Sequence, residues 1–536
     1  MSSELFTEKD RDQMERLGIS QAKVETQLDM FRRGPHRLRL HRPCTLEDGI
    51  VVVDATDEER LLTMWATGAA EGRLREFLPA SGAATRMFAF VERTRKQMKT
   101  TNDETNLHAS FETSSDLQSF NQFVGSLRDF AFAEPLQDVM AKAGVSLQHR
   151  LDSGKYKEIL DFLLGPQGLN YLALPKALIP FHRYSDHIRT ALEEHLVEAS
   201  HTVRDSARRC RVHFTVAPDS EEIIVHHGRK AAAKYGEKLG VQYELSFSLQ
   251  KPASNTLAVD QENRPFRLPD GSLLFRPAGH GALLDNLNQV QGDIVFIKNI
   301  DNVVTDDLRD PVVYHQKVLA GMLLDLQQEV FRYLRLLQSG STTATDVQAV
   351  AEFVAHRLSV SLPDDSSQLG QEERVSWLYR ILNRPLRVCG MVKNRGEPGG
   401  GPFWVQEASG RVSLQIVEGA QVDRTSPEQV EIFSASTHFN PVLLVCGLRD
   451  FQGQPFDLHD FVDSQAVFIA QKTEDGRELK ALELPGLWNG GMAYWNTVFV
   501  QVPEETFNPV KTINDLLRPG HHSPGEVDPA TRRRNK

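Results

Sequence analysis

The stretch Arg75-Glu-Phe-Leu-Pro-Ala-Ser-Gly-Ala-Ala-Thr-Arg-Met-Phe88 decides the fold. It reads as a short apolar strand, a turn of small residues, and an apolar pair that opens a helix. At such a junction, free backbone N–H groups and the helix dipole favour a bound anion, and Arg86 adds a fork of donors. Because the pattern matches neither GxGxxG nor GxxxxGK[ST], a plain turn from strand to helix stays open as the alternative.

Length and composition bound the class of protein. A chain of 536 residues predicts two or three lobes, or one large domain with insertions. Hydrophobic residues make up 40% and charged residues 25%, values typical of a soluble globular protein. The net charge of −11 argues against a general nucleic-acid binder, because such a protein needs a basic face.

Cysteine usage and hydropathy predict a cytoplasmic protein. The four cysteines lie far apart without CxxC spacing, which favours neither a disulfide framework nor a zinc site. The charged N-terminus has no apolar core of a secretory signal, and no run of about 18 apolar residues predicts a membrane span.

The cleanest predicted strand lies within Gly292–Asn302, where an apolar core is followed by Asn299, Asp301 and Asn302. In open α/β sheets the carboxyl ends of the strands hold the ligand, so Asp301 is placed to bind Mg²⁺ beside a phosphate. An aspartate that only caps a turn is equally compatible with the pattern. A predicted helix over 185–209 and strands at Val212–Val216 and Ile223–Val225 indicate a parallel α/β sheet.

Four regions follow from the pattern of helices, strands and polar breaks. They are an N-terminal helical cap (1–70), a catalytic domain (71–517), two helical insertions within it (about 89–170 and 312–384), and a disordered basic tail (518–536).

Separate stretches of the chain resemble, in the same order, the motifs of one enzyme family. They are Ser81-Gly-Ala-Ala-Thr-Arg-Met87, Pro175-Lys176, Pro277-Ala-Gly-His-Gly281, Asn299-Ile-Asp-Asn302, Val417-Glu-Gly-Ala-Gln-Val422 and Phe507-Asn-Pro-Val-Lys-Thr-Ile-Asn-Asp-Leu-Leu517. The set resembles the UDP-sugar pyrophosphorylases, in particular the eukaryotic-type UDP-glucose and UDP-N-acetylglucosamine uridylyltransferases. The whole chain also resembles a bacterial family known only as a domain of unknown function, DUF4301. The resemblance implies a GT-A-like (Rossmann-like) α/β fold of the nucleotide-diphospho-sugar transferases, with a mixed, mainly parallel sheet flanked by helices.

The reaction that the resemblance implies is uridylyl transfer from UTP to a sugar 1-phosphate, which yields a UDP-sugar and pyrophosphate. A sugar-phosphate oxygen attacks the α-phosphorus in line, so catalysis requires positioning and charge neutralisation and no side-chain nucleophile. UTP and a sugar 1-phosphate are therefore the expected partners, with Mg²⁺ as the cofactor, and neither a nucleic acid nor a membrane is expected.

The resemblance also assigns roles to residues of this chain. The expected catalytic residues are Arg86, Lys176 and Lys511, and Asp301 is the expected Mg²⁺ ligand. The expected nucleotide-binding residues are Ser81, Gly82, Ala83, Ala84, Thr85, Gln250, Gly279, His280 and Gly281. The expected sugar-binding residues are Glu418, Asn440 and Asn489; Trp488 and Trp495 are further candidates, although core packing is the more common role of such tryptophans.

Three other interpretations remain. A glycosyltransferase of the same fold usually holds its metal on Asp-x-Asp, whereas Asn299-Ile-Asp301 has one carboxylate, which favours the pyrophosphorylase. A catalytically silent nucleotide-binding protein gains some support from Ala83 and Ala84, which stand where the resembled family has glycine. The third is a helical scaffold with an incidental α/β core.

Overall fold

The structure is a computed structural model that describes residues 5–34, 36–100, 114–360, 369–397, 399–407 and 410–523. The helices are α1 (Glu8–Leu17), α2 (Gln21–Arg33), α3 (Ala55–Ala70), α4 (Ala89–Thr100), α5 (Ser114–Gly125), α6 (Ala133–Lys142), α7 (Leu147–Asp152), α8 (Tyr156–Leu164), α9 (Ala191–Thr202), α10 (Glu221–Leu239), α11 (Leu283–Val290), α12 (Arg309–Gln338), α13 (Ala344–Arg357), α14 (Gln371–Leu382) and α15 (Pro427–Ser434).

The strands are β1 (Arg39–Pro43), β2 (Ile50–Val51), β3 (Leu74–Pro79), β4 (Pro180–Arg183), β5 (Ile188–Thr190), β6 (Arg209–Val216), β7 (Gln242–Leu249), β8 (Thr256–Val259), β9 (Phe275–Arg276), β10 (Ile294–Lys298), β11 (Leu386–Lys393), β12 (Gly401–Gln406), β13 (Val412–Val417), β14 (His438–Phe439), β15 (Leu443–Gly447), β16 (Phe468–Glu474), β17 (Arg477–Glu483) and β18 (Asn496–Gln501). Nine of them belong to one mixed, mainly parallel sheet, which confirms the predicted fold class.

The chain divides into two compact units, which are described separately. The first unit comprises Met1–Phe77, Ser248–Ile297 and Gln316–Glu504, and the second comprises Leu78–Phe247, Lys298–His315 and Glu505–Lys536. The cap, insertion and tail boundaries that the sequence suggests stay a prediction.

The first unit contains a sheet in the order β2-β18-β11-β15-β10-β3, with β14 paired to β11. β10 runs parallel to β3, and β11 runs parallel to β18 but antiparallel to β15. The five residues of β10 are all buried, as the apolar core of a central strand requires. A smaller sheet, β1-β12-β13, and a four-stranded sheet, β16-β17-β8-β9, complete this unit. α1 packs on the four-stranded sheet through Met14, and α2 packs on it through Leu28 and Phe31.

The second unit packs the neighbouring strands β6 and β7 with the carboxyl end of β3 and with helices. Aromatic side chains fill part of its core: Phe130 stacks on Phe132 at 4.9 Å between ring centroids, and Phe132 meets Tyr171 edge to face at 5.6 Å. The predicted helical character of 89–170 agrees with α4 to α8 over the described residues; positions 101–113 of this stretch lie outside them.

Two local predictions are wrong, each for an identifiable reason. Ile223–Val225 lies inside α10, because the short apolar run is part of a longer helical segment that Pro218–Ser220 precedes and Gly240 ends at φ +63°. The helix predicted over 185–209 is only the twelve residues of α9, since Thr190 caps its start in a capping box with Glu193.

Candidate functional site

The small-residue turn after β3 leads into a short 3₁₀ helix, Ala84–Arg86, and then into α4. The backbone N–H of Ala80 donates to the Thr215 carbonyl of β6 at 2.9 Å, which anchors the start of the turn. Gly82, Ala83, Thr85 and Arg86 are exposed, and a Cβ added at Gly82 would meet no atom within 4 Å. One face of the turn is therefore open to a ligand.

Hydrogen bonds tie this turn to the two lysine-bearing segments of the same unit. The Lys176 N–H donates to the Gly82 carbonyl at 3.0 Å, and the Ile513 N–H donates to the Met87 carbonyl at 2.9 Å. The Ala84 N–H donates to the Leu174 carbonyl at 3.2 Å, so this amide of the predicted phosphate cradle is already used. The turn, Lys176 and the Lys511 segment consequently form one assembly.

Asp301, just beyond the end of β10, forms ion pairs with the ammonium groups of both lysines. Lys176 Nζ donates to Asp301 Oδ2 at 2.9 Å and to the Val510 carbonyl at 2.8 Å. Lys511 Nζ approaches Oδ2 at 3.1 Å and Oδ1 at 3.3 Å. The two lysines differ in exposure: the side chain of Lys176 is 12% exposed, whereas that of Lys511 is 54% exposed.

The charge balance at this centre is positive. Burial alone would raise the pKa of the Asp301 carboxyl, but the charges of Lys176 and Lys511 outweigh it and hold that pKa below its usual value. Two lysines share the one carboxylate of Asp301, and Arg86, on the adjoining turn, has no ion pair within the described residues. Such an excess of positive charge suits a polyanionic ligand.

Asn302 fixes the C-terminal segment that delivers Lys511. Its Oδ1 accepts from the Asn508 N–H at 2.8 Å, and its Nδ2 donates to the Thr506 carbonyl at 3.2 Å. The Val510 N–H donates to the Asp301 carbonyl at 3.1 Å, and the Asp515 carboxylate accepts from the Lys511 N–H at 2.7 Å. These hydrogen bonds join the motifs at 299–302 and 507–517 and so position Lys511 beside Asp301.

Helix α9, which is buried at every residue except His201, supports the end of β10. His195 Nε2 donates to the Ile300 carbonyl at 3.2 Å, one residue before Asp301. Glu198 accepts both bonds of a buried ion pair from Lys298 Nζ, at 2.6 and 2.7 Å. Burial, together with the nearby Lys298 charge, lowers the pKa of His195 to about 4, so the ring is neutral near pH 7.

A second buried network in this unit holds the residues that follow Lys511. Glu194 accepts from Arg309 at 2.7 Å and contacts His182 Nδ1 at 2.9 Å, while His182 Nε2 lies 2.8 Å from His521 Nδ1. Pro519–His521 form a short 3₁₀ helix in which His521 is buried. Positions 518–523 of the predicted tail are thus ordered against this network, and the rest of the tail lies outside the described residues.

In the first unit, His280 lies in the turn before α11 and is held from two sides. Its Nδ1 accepts from the Leu487 N–H at 3.0 Å, which leaves the proton on Nε2, 3.8 Å from Glu418 Oε1. Trp488 stacks on the ring with 4.1 Å between centroids. Burial lowers the pKa of His280 to about 4, and burial with the neighbouring Glu483 raises the pKa of Glu418.

The glycines on either side of His280 are explained by chain packing. Gly279 has φ +71°, and a Cβ there would lie 2.8 Å from Glu483 Oε2. A Cβ on Gly281 would lie 2.4 Å from the Pro485 carbonyl oxygen, a backbone atom that cannot easily move away. The close approach predicted for a nucleotide at this turn is in the structure an approach of residues 483–485.

The predicted sugar-binding residues of this unit have different surroundings. Asn489 is buried; its Nδ2 donates to the Ile416 carbonyl at 2.9 Å and its Oδ1 has no hydrogen-bond partner among the described residues. Asn440 is also buried, and its amide bonds the Gly390 carbonyl and the Val442 N–H at 2.9 and 3.0 Å, so a sugar hydroxyl would have to replace one of these bonds. Gln250 follows β7 and is half-buried.

The candidate Mg²⁺ ligand at the lysine-rich centre is the carboxylate of Asp301. Within the described ranges, no group of three or more His, Cys, Asp or Glu side chains is arranged to hold a metal ion. Mg²⁺ commonly takes one or two carboxylates and completes its octahedron with phosphate and water oxygens, so Asp301 beside a polyphosphate suits the ion. Because Lys511 already contacts both oxygens of Asp301, the metal would compete with that lysine.

The structure thus brings together Lys176, Asp301 and Lys511, with the Ser81–Arg86 turn tied to their segments. His280, Glu418 and Asn489 lie near one another in the first unit, whereas Asn440 is held by backbone groups. Sequence reasoning missed His195 and the Lys298–Glu198 pair. Their only signal is a run of charged residues in a predicted helix, which cannot show that eleven of the twelve residues of α9 are buried.

The fold and site define a class: a mixed α/β protein with a basic, carboxylate-anchored centre at the carboxyl end of a parallel strand. A family model described as "Domain of unknown function (DUF4301)" matches residues 7–522, and the chain belongs to this family. A search of curated proteins finds no match. No helix in the described part of the chain has the length and apolar character needed to cross a membrane.

Solved structures of UDP-sugar pyrophosphorylases are similar to this chain at low identity. A mutant UDP-glucose pyrophosphorylase of Leishmania major, in complex with UDP-glucose, is 12% identical with a TM-score of 0.43, over 95% of this chain and 77% of that one. UDP-glucose phosphorylase of Trypanosoma brucei is 14% identical with a TM-score of 0.44, over 95% and 77%. Uridine diphosphate N-acetylglucosamine pyrophosphorylase of Trypanosoma brucei, in complex with an inhibitor, is 12% identical with a TM-score of 0.47, over 96% and 79%. Activity and substrate therefore have to be argued from the residues of this chain.

Proposed function

We propose that this protein is a sugar-1-phosphate uridylyltransferase, which converts UTP and a sugar 1-phosphate into a UDP-sugar and pyrophosphate. The observation that carries the proposal is the convergence of Lys176 and Lys511 on Asp301, beside a turn that Arg86 ends. Phosphoryl and nucleotidyl transfer require positioned positive charge and an in-line approach, and the centre supplies the first.

Each cation has a distinct part in the proposed reaction. Lys176, held by Asp301 and the Val510 carbonyl, is a fixed ammonium that neutralises charge on the α-phosphate during attack. The side chain of Lys511 is about half exposed, and among the described residues its ammonium group contacts only Asp301, so it can turn toward a phosphate oxygen without breaking a backbone contact. Arg86 and the exposed backbone of Gly82 and Ala83 bind the leaving pyrophosphate.

The atoms of the step balance without an enzyme nucleophile. An oxygen of the sugar 1-phosphate forms a bond to the α-phosphorus of UTP, and the bond from that phosphorus to the β-phosphate oxygen breaks. Pyrophosphate leaves with the electron pair. Mg²⁺, held by Asp301 together with phosphate oxygens, would supply further charge neutralisation when it is bound.

We assign recognition of the uracil and ribose to Gln250, His280 and the turn around it, and recognition of sugar hydroxyls to Glu418 and Asn489. The unpartnered Oδ1 of Asn489 and the raised pKa of Glu418 support the second assignment, because both groups gain from a hydrogen-bonding ligand. The identity of the sugar stays open.

A nucleotide-binding protein without turnover is the second candidate. It is favoured by the Ala84 N–H, which donates to Leu174 and so removes one donor from the phosphate cradle. A glycosyltransferase is disfavoured by the single carboxylate in Asn299-Ile-Asp301.

The deciding experiment incubates the purified protein with Mg²⁺, one nucleoside triphosphate and one sugar 1-phosphate at a time, and detects pyrophosphate. Release that requires both substrates supports the proposal. Thermal stabilisation by UTP or a UDP-sugar without pyrophosphate release would identify the silent binder, and release of UDP from a UDP-sugar would identify a glycosyltransferase. No response to any nucleotide would refute all three.

A further inference from the structure

An unusually basic stretch lies in the first unit. Residues 32–42, RRGPHRLRLHR, contain five arginines, two histidines and no acid, in a chain of net charge −11. Arg32 pairs with Asp29 at 2.9 Å, and Arg42 pairs with Asp48 at 2.5 Å. Within the described residues the side chains of His36, Arg37 and Arg39 form no ion pair, although the Arg37 guanidinium also contacts the Ala420 carbonyl. The charges of the two arginines are available to a ligand.

His36, Arg37 and Arg39 line a cavity of about 430 Å³, which we term the basic cavity. The cavity is also lined by Gln415, Asp463 and Tyr494. The volume falls in the range of pockets that hold small molecules, roughly 300–1,000 Å³. A second cavity of about 430 Å³ shares His36, Arg37 and Gln465 with it, so the charged wall is accessible from two sides.

The lining residues are of two chemical kinds, and together they restrict the ligand. Arginine forks bind phosphate oxygens in pairs, whereas carboxylates accept from hydroxyls and amides both accept from and donate to them. Glu407, the other acid of the cavity, is already bound by both nitrogens of a fork from Arg411. Burial raises the pKa of the Tyr494 hydroxyl, which therefore remains a donor at neutral pH. An anionic end and a polyhydroxylated body are thus favoured in one molecule.

We propose that the basic cavity binds a phosphorylated sugar or another phosphorylated polyol, at a site separate from the lysine-rich centre of the second unit. The phosphate contacts Arg37 and Arg39, and the hydroxyls contact Gln415 and Asp463. Asn489, which we assign to the transferred sugar, lines the cavity, whereas His280 and Glu418 do not line it among the described residues, so the two sites adjoin at Asn489.

Occupancy of the basic cavity has an optical reporter. Asn489 lines the cavity and is followed by Gly490, whose carbonyl accepts from the Asp463 N–H at 2.9 Å. Trp488, the preceding residue, stacks on His280. A ligand between Asp463 and Asn489 is therefore expected to change the fluorescence of Trp488.

The test titrates the full-length protein with glucose 6-phosphate, without nucleotide, by calorimetry and tryptophan fluorescence. We expect saturable binding that glucose does not reproduce and that inorganic phosphate reproduces more weakly. The double variant Arg37→Gln/Arg39→Gln should weaken binding at least tenfold, and Arg39→Lys should weaken it less, because the charge remains while the fork is lost. Trp488→Phe should remove most of the fluorescence change and leave the calorimetric signal.

Two controls separate this site from other charges. Arg264→Gln removes one exposed arginine that pairs with Asp260 outside the cavity, and it should leave binding unchanged. Lys511→Ala should also leave it unchanged, so the result does not depend on uridylyl transfer. Absence of saturable binding at millimolar glucose 6-phosphate, or binding lost in Lys511→Ala and kept in the folded Arg37→Gln/Arg39→Gln variant, would overturn the proposal.

Discussion

Removing Lys511 should separate catalysis from stability, because this lysine and Lys176 share one carboxylate but differ in burial. The Lys511–Asp301 pair is about half exposed on the lysine side, and such pairs contribute about 0.2–1 kcal/mol to the free energy of unfolding. In Lys511→Ala, Asp301 keeps its contact with Lys176, so we expect almost no change in stability. Lys176→Ala instead leaves the buried Asp301 carboxylate paired with the exposed Lys511. We expect this variant to lose about 2–3 kcal/mol of the free energy of unfolding.

In Lys511→Ala, by contrast, we expect a large loss of turnover. If Lys511 contacts a phosphate oxygen in the transition state, its loss should lower kcat by about 10²–10³, or about 2.7–4 kcal/mol, as for the removal of one donor from an oxyanion hole. Lys511→Arg keeps the charge and should recover part of that rate. Circular dichroism and urea midpoints report stability, and pyrophosphate release with the preferred substrates reports turnover.

The reasoning would be refuted by Lys511→Ala with near-normal turnover. It would equally be refuted if Lys511→Ala and Lys176→Ala lost the same stability, because the exposures of the two side chains would then carry no energetic meaning. Lys96→Ala on α4, whose side chain is 70% exposed, serves as a control that removes a lysine away from Asp301.

Two further predictions concern packing and pH. Gly281→Ala should destabilise the protein by about 1–3 kcal/mol, because its Cβ would lie 2.4 Å from a carbonyl oxygen, whereas the Cβ of Gly82→Ala meets no atom within 4 Å and should leave stability unchanged. A raised KM for UTP in Gly82→Ala alone would support phosphate binding at that turn. Equal denaturant midpoints for the two variants would contradict the packing argument. Because the pKa of His195 is about 4 in the folded chain and about 6.5 in the unfolded chain, its contribution is present above pH 6.5 and is lost as pH falls toward 4, by up to about 3 kcal/mol. In His195→Gln, whose side chain cannot titrate, the denaturant midpoint should depend less on pH between 6.5 and 4, whereas His149→Gln, at an exposed position, should not change this dependence. An unchanged pH dependence in His195→Gln would show that the His195 ring does not cause the effect.

Local sequence patterns were sufficient to predict the elements that carry the site residues. The apolar core of β10 could be predicted because a central parallel strand is mainly apolar, and the turn after β3 could be predicted because it follows a short apolar strand and is built of small residues. The motif around Lys511 is continuous in the chain, and the hydrogen bonds of Asn508 and Asp515 hold it in place.

Other features depend on packing between distant parts of the chain and left no periodic signal. The strand predicted at Ile223–Val225 is helical because α10 extends over nineteen residues, and a three-residue apolar run cannot distinguish the two. Gly279 and Gly281 suggested approach to a nucleotide, and the approaching groups are Glu483 and Pro485, about two hundred positions further along the chain.

The sequence by itself determined the α/β class, the order of the motifs and the chemical types available: one acid and several cations at the ends of predicted elements. Only the tertiary structure decided that Lys176 and Lys511, more than three hundred positions apart, share the carboxylate of Asp301, and that His195 and Glu198 lie beneath it. The physical reason is that charge and hydrogen bonding act over a few ångströms in space. Separation along the chain therefore carries no information about them until the sheet and its loops are formed.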